Sequence, residues 1–271
     1  MVVFAGQGDP RRSMALLWRA GAPADDPRPR PGRRPGLSVD AIVGAAVGIA
    51  DAQGMAALSM RAVGERLGTT AMALYTYVPG KSELLDLMYD QVLAELAERY
   101  PDGAGWRPAV TAWAEDGLAC YLRHPWVLQV SQARPVLGPG EYRMLEALLG
   151  ALRGTGLSGE RLRRITGTLV NYVRGAAGAV AETRQAAAAT GVSDEEWWFS
   201  RASRLAEVAP DFTDRYPLLG ALEQDRAASY RPDRPGAPGD DVPYPEREAR
   251  ATFAAGLAVL LDGIEAAAAG G

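Results

Sequence analysis

From Leu37 onward the apolar positions recur every three or four residues, and no stretch of alternating β-branched residues competes with them. Ser38 can cap a first helix with Asp40 in its opening turn. Ile42, Val43, Ala46, Val47 and Ala50 form its apolar face, and Gly54 suits its exit. A short helix runs from Ser59 to Gly68, and another from Thr69 or Thr70 to the Pro79-Gly80 pair. A fourth spans Ser82 to about Arg99, with Leu85, Met88, Val92 and Leu96 inward. Further helices are predicted at 106–123, 125–134, 140–153, 158–188 and 194–208, in part of 211–229, and at 246–267. The five prolines of 231–245 mark a loop. The pattern predicts an all-α fold.

Two of these helices carry more than amphipathicity. In 158–188 one apolar stripe holds Ile165, Leu169, Tyr172 and Ala176, and a second holds Leu162, Val173, Ala177 and Val180. Apolar residues on two faces imply a helix buried between neighbours. Its third, narrow face reads Thr168, Asn171, Gly175, Gly178 and Glu182. Such a strip either lets another helix approach closely at a dimer interface or lines a cavity whose few polar groups orient a ligand. The last helix carries Phe253, Leu257, Leu260, Leu261 and Ile264 on one stripe. It is the expected partner of the buried helix in a two-fold interface.

Charge changes the picture more than composition does. The 271 residues carry a net charge of −4, unfavourable at first sight for a nucleic-acid partner. Yet residues 1–36 hold seven arginines against Asp9, Asp25 and Asp26, residues 37–82 are balanced, and the remainder holds −8. A local basic footprint beside an acidic domain is compatible with DNA binding. The Pro- and Arg-rich segment 21–36 has no apolar period and is expected to be an extended arm. Its arginines, Arg33 and Arg34 among them, are either a solubilising tail or a minor-groove contact.

A single histidine (His124) and a single cysteine (Cys120) leave no metal triad, no thiolate cluster and no disulfide. No cofactor is expected. The catalytic motifs of hydrolases, zinc enzymes and phosphate loops are absent, so an enzyme is the least favoured class. No run of about 18 apolar residues suggests a membrane span. Arg11, Arg12 and Arg19 interrupt any secretory-signal core in Met1–Ala20, so the cytoplasm is the expected location.

The segment Ser59–Lys81, SMRAVGERLGTTAMALYTYVPGK, fits a helix-turn-helix. Gly68 can adopt the positive φ of the turn, Gly64 is small where the helices approach, and Val63, Leu67 and Leu74 join them. The second helix exposes small and hydroxylated side chains that a major groove admits. LSMRAVGERLG followed by ALYTYVPGKSELLDLM resembles the DNA-binding domain of the TetR family of bacterial repressors across about 50 residues. RHPW at Arg123–Trp126 and GLAVLLDGIEA at Gly256–Ala266 resemble an actinobacterial-type regulatory domain of that family.

The resemblance implies a basic arm (1–36), a three-helix reader (37–82) and a helical sensing and dimerising domain (83–271). It implies a homodimer on palindromic double-stranded operator DNA, released by a small-molecule effector. The alternative is an activator, or a regulator answering to a protein partner. Carried over position by position, Arg61 contacts a base or phosphate, and Thr70, Ala71, Ala73, Thr76 and Tyr77 lie on the recognition helix. Tyr75 packs on the DNA backbone and Lys81 grips a phosphate. Thr69 departs from the family's usual β-branched aliphatic.

In the sensor, Trp113 is either a pocket wall or core filling. Arg174 is either a ligand anchor or half of an ion pair. His124, in the break between two helices, is either hinge and cap or a ligand contact. With Thr168, Asn171 and Glu182 these complete the candidate ligand site.

Overall fold

The computed structural model describes residues 3–19, 37–100, 103, 105–229 and 242–270. The chain is all-α, as its periodicity predicts. In order come α1 (Pro10–Leu17), α2 (Val39–Gln53), α3 (Met60–Leu67), α4 (Ala71–Tyr75), α5 (Lys81–Leu93) and α6 (Trp106–Arg123). After a 3-10 turn over Pro125–Gln129 come α7 (Pro139–Leu152), α8 (Gly159–Thr190), α9 (Asp194–Val208), α10 (Phe212–Arg215), α11 (Pro217–Ser229) and α12 (Tyr244–Ala269). Local chemistry explains the starts. The hydroxyls of Ser38, Ser59 and Thr70 accept the amides of Ala41 (3.1 Å), Ala62 (3.1 Å) and Ala73 (3.3 Å), three N-caps of one type.

Two boundaries differ from the periodic reading. Instead of reaching Arg99, α5 stops at Leu93. The Asp116 carboxylate of α6 takes the Ala97 amide at 3.1 Å and the Tyr100 hydroxyl at 2.6 Å, drawing the chain out of the helix. The helix expected at 125–134 is a single 3-10 turn that passes into a strand, β2 (Val130–Ser131). That strand pairs in parallel with β1 (Val3–Phe4).

The partner of β2 corrects the expected N-terminal arm: residues 3–19 are folded. Ala5 and Leu17 are buried, α1 packs along α5, and the Gly6 amide donates to Asp86 Oδ1 at 2.7 Å. The Trp18 indole donates to the Leu137 carbonyl at 2.9 Å and its ring meets Tyr142 at 5.9 Å. Arg19 pairs with Asp40 at the start of α2. Leu137, the described non-glycine residue with positive φ (61°), is held there between Trp18 and Glu141, whose carboxylate takes its amide at 2.7 Å. Arg33 and Arg34, with the rest of 20–36, lie outside the described residues.

Two compact units divide the chain, one of residues up to 178 together with those from 256 onward, the other of 179–255; the divisions fall inside α8 and α12. No break falls at the expected reader–sensor boundary near residue 82, because α5 packs on α2 and on α7 alike. In the first unit the core runs from Ile42, Val63, Leu74 and Met88 to Trp126, Leu148 and Leu169. In the second, buried Glu246 of α12 accepts Arg184 of α8 (2.8 and 3.0 Å) and Arg250 (2.9 Å). Those two guanidiniums hold its carboxyl below the ordinary range, the Arg184 hydrogen bonds first among the causes.

The last helix is long and apolar enough to cross a membrane by length and composition alone. Its stripe of Phe253, Leu257, Leu261 and Ile264 is instead buried in the chain's own core. Arg107 of α6 ties its polar side through Asp262 and Glu265.

Candidate nucleic-acid interface and ligand cavity

The reader is built as its sequence requires. Gly68 ends α3 in the left-handed region at φ 67° and ψ 33°. A Cβ on Gly64 would come within 2.9 Å of the Thr69 carbonyl, so glycine sets how closely α3 approaches the turn. Val63 and Leu74 are fully buried between the helices, with Leu67 half-buried beside them. This leaves α4 supported from behind and open in front.

On the open side stand Thr70, Tyr75, Thr76 and Tyr77, all exposed, with Ala71 and Ala73 half-buried. The Thr70 oxygen accepts the Ala73 amide in capping α4, which leaves its O–H proton and a second lone pair for DNA. Arg61, at the start of α3, holds Glu65 one turn on at 2.8 Å, and this hydrogen bond raises its already high pKa. The pair is exposed and adds little to stability. Lys81 donates to the Leu58 carbonyl at 2.8 Å, joining the start of α5 to the turn before α3, with ammonium protons left for another acceptor. The sequence reading passed over Met72, which at 74% exposure is the most open large apolar side chain on α4. An exposed methionine on a recognition helix can meet thymine methyls, and the helical period alone would have placed it opposite Leu74.

A cavity lies inside the first unit, lined by Leu96, Trp113, Gly117, Tyr121, Met144, Val170 and Val173. Its open space is about that of one water molecule. Trp113 is 3% exposed, and its indole N–H has no hydrogen-bond partner among the described residues. The Tyr121 hydroxyl is buried and its pKa is raised by desolvation, so the phenol is neutral.

Of the sensor residues predicted from sequence, only Trp113 reaches this cavity. Thr168, Asn171 and Glu182 are exposed, on the side of α8 that faces away from Val170 and Val173. In the subunit α8 is buried on one side, through Leu169, Val173, Ala177 and Val180, and not on two. The pocket assignment of the polar strip is therefore corrected. Arg174 makes no ion pair among the described residues. It donates to the carbonyls of Val127 (3.2 Å), Leu128 (2.7 Å) and Val130 (2.6 Å), pinning the segment after α6 to α8.

His124 is also a structural joint. Buried at the end of α6, its Nδ1 lies 2.8 Å from Asp51 Oδ1 of α2 and its Nε2 lies 3.1 Å from Glu95 Oε2. The Trp126 indole donates to the same Asp51 oxygen at 2.8 Å. The reader's first helix and the sensor thus share a carboxylate. Asp51 drew no attention as sequence, because one acid near a helix end reads as solvated surface.

A supported recognition helix and a glycine turn beside a helical bundle define a helix-turn-helix regulator. The family described as bacterial regulatory proteins, tetR family, matches residues 42–88, and the tetracyclin repressor-like C-terminal domain matches residues 100–233. The chain is 42% identical over 231 residues to the HTH-type transcriptional repressor DrrR1 of Streptomyces coeruleorubidus, covering 84% of this chain and 82% of that one. It is similar to solved structures of ActR from Streptomyces coelicolor. The complex with (S)-DNPA is 25% identical with a TM-score of 0.59, covering 86% of this chain and 100% of that one. The complex with actinorhodin is 26% identical with a TM-score of 0.56, covering 86% and 99%. The chain belongs to the TetR family of DNA-binding transcriptional regulators.

Proposed function

We propose that the chain is a cytoplasmic repressor that binds a palindromic operator as a homodimer and releases it when a small molecule enters the sensor. Residues 37–82 are then the reader and 83–271 the sensing and dimerising domain. Arg61, Thr70, Ala71, Ala73, Tyr75, Thr76, Tyr77 and Lys81 touch the DNA, with Met72 added to them, and Arg33 and Arg34 reach it from the basic segment. Repression is the function named for DrrR1, and the ActR complexes supply small-molecule binding within the same fold.

One observation carries the reading: a bonded line joins cavity and reader. Val173 lines the cavity, and its neighbour Arg174 holds the carbonyls of 127–130. That segment begins at His124 and Trp126, both fixed to Asp51 of α2. The cavity is too small for an effector as it stands, so a ligand must part its walls and carry the line with it. Release follows to the extent that the opened form binds DNA less well.

Two outward faces fit the dimer. On α8 stand Thr168, Asn171 and Gly175; on α12 stand Val259, 69% exposed, and Gly263. A Cβ built on Gly175 or Gly263 meets nothing within 4 Å, leaving room for helices of a second copy. Selecting bound duplexes from a random pool tests the proposal. An inverted repeat with half-sites about one helical turn apart is expected. Recovery of no common sequence would contradict it.

A further inference from the structure

We propose that the effector is a largely apolar molecule, without a cationic group, carrying a carbonyl-type oxygen that accepts a hydrogen bond from the Trp113 indole. The inference rests on the ligand-released reading above and names the ligand's chemistry.

The cavity walls decide the charge. Leu96, Trp113, Gly117, Tyr121, Met144, Val170 and Val173 bring no ionised side chain. The nearby cation, Arg174, donates to three backbone carbonyls and to the Tyr121 hydroxyl of the wall, and keeps its positive charge there. A cation entering here would lose its water with no carboxylate in the wall to meet it and with Arg174 close by.

The polar groups decide the rest. Two side chains in the wall have hydrogen-bonding atoms. Tyr121 has Arg174 for a partner. Trp113 has none, although its indole nitrogen is sealed from solvent. A buried N–H left unmade is costly, and a donor-only group can be satisfied by nothing but an acceptor. Apart from these two groups the wall is hydrocarbon or thioether, which favours a flat or compact apolar body bearing that acceptor.

The test uses three probes of one shape: 9-fluorenone, with a neutral carbonyl; fluorene, without it; and 4-(aminomethyl)-9-fluorenone, with a positive charge added. Calorimetric titration of the full-length protein measures all three. Trp113→Phe keeps an aromatic ring and removes the donor. It should lower the ratio of fluorenone to fluorene affinity about three- to tenfold, the value of one net hydrogen bond. The ammonium probe should bind the wild type at least roughly tenfold more weakly than fluorenone. On the wild type alone, the carbonyl stretch of bound fluorenone should move to lower frequency than in hydrocarbon solvent, a readout that needs no variant to fold. An unchanged affinity ratio in Trp113→Phe, an unshifted carbonyl, or the ammonium bound as well as the ketone overturns the inference while leaving the cavity as a ligand site. If none of the three binds the wild type, the inference falls, and the ligand-released reading loses its cavity with it.

Discussion

Arg61 and Lys81 are both cations of the reader, but their surroundings separate them. Among the described residues Arg61 is held by Glu65 on its own helix alone, so it can turn toward a base edge when DNA arrives. Lys81 is fixed to the Leu58 carbonyl and offers its other protons from a set position, as suits a phosphate. Lys81→Ala should therefore weaken binding to all sequences, lowering the log-affinity against log-salt slope by roughly one per subunit. Arg61→Ala should relax preference at one base position while sparing random DNA. Fluorescence anisotropy with the selected duplex and a scrambled one, over a range of salt, checks both. Equal loss on the two duplexes for Arg61→Ala would reverse the assignment.

The fold of the reader was legible because every feature it depends on is local: a cap three residues away, a glycine turn, a helix of one and a half turns. The sensor residues were not. The Thr168, Asn171 and Glu182 strip was read against a helix supposed buried on both sides, whereas one side of α8 is open in the subunit. Arg174 invites a charged partner, but it holds main-chain carbonyls some 45 positions away and the Tyr121 hydroxyl, and carbonyls leave no mark in a sequence.

Among the elements, α1 and β1 depart most from expectation. Glu83, Asp86 and Asp90 lie on one face of α5 and look like its solvated side, yet all three are buried. The N-terminal segment meets the first two: Gly6 donates to Asp86, and the Asp9 amide donates to Glu83 at 3.3 Å. Asp90 takes the Glu141 amide at the start of α7 at 2.9 Å. Burial raises the Asp86 carboxyl above its ordinary 3.8, against the pull of the Gly6 amide. The folded state thus holds this proton more tightly than the unfolded chain. The group's contribution to stability is full below that value and is lost as pH rises through the folded pKa. Asp86→Asn keeps an acceptor for Gly6 and removes the buried charge. Thermal melts from about pH 4 to about pH 7 should show a variant at least as stable as the wild type near neutrality, its advantage growing with pH. A variant that loses stability uniformly across that range would contradict this account.

The faces of α12 separate core from interface in the same way. The apolar stripe that the sequence offered as a dimer surface is core, so Leu257→Asp should unfold the subunit, with a loss of several kcal/mol typical of a buried, unpaired charge. Val259→Asp, on the open face, should keep the helical circular dichroism spectrum and the melt while shifting sedimentation from dimer to monomer. A dimeric Val259→Asp protein would move the interface elsewhere.

At the scale of the whole molecule, fold class and family were legible throughout, because helical period and the reader's spacing survive any tertiary detail. What the period could not supply was the closure of the first unit by residues 3–19, or the placing of Asp51 between reader and sensor. Both depend on contacts between distant parts of the chain.

The central claim is that two readers act as one symmetric unit on one face of the DNA. Sedimentation of the protein with its selected duplex, and with the same duplex carrying about five extra base pairs between half-sites, tests it most directly. The account predicts two chains per duplex and a loss of at least roughly tenfold in affinity on the half-turn insertion, because a fixed pair cannot meet half-sites on opposite faces. One chain per duplex, or an affinity indifferent to the insertion, would contradict it.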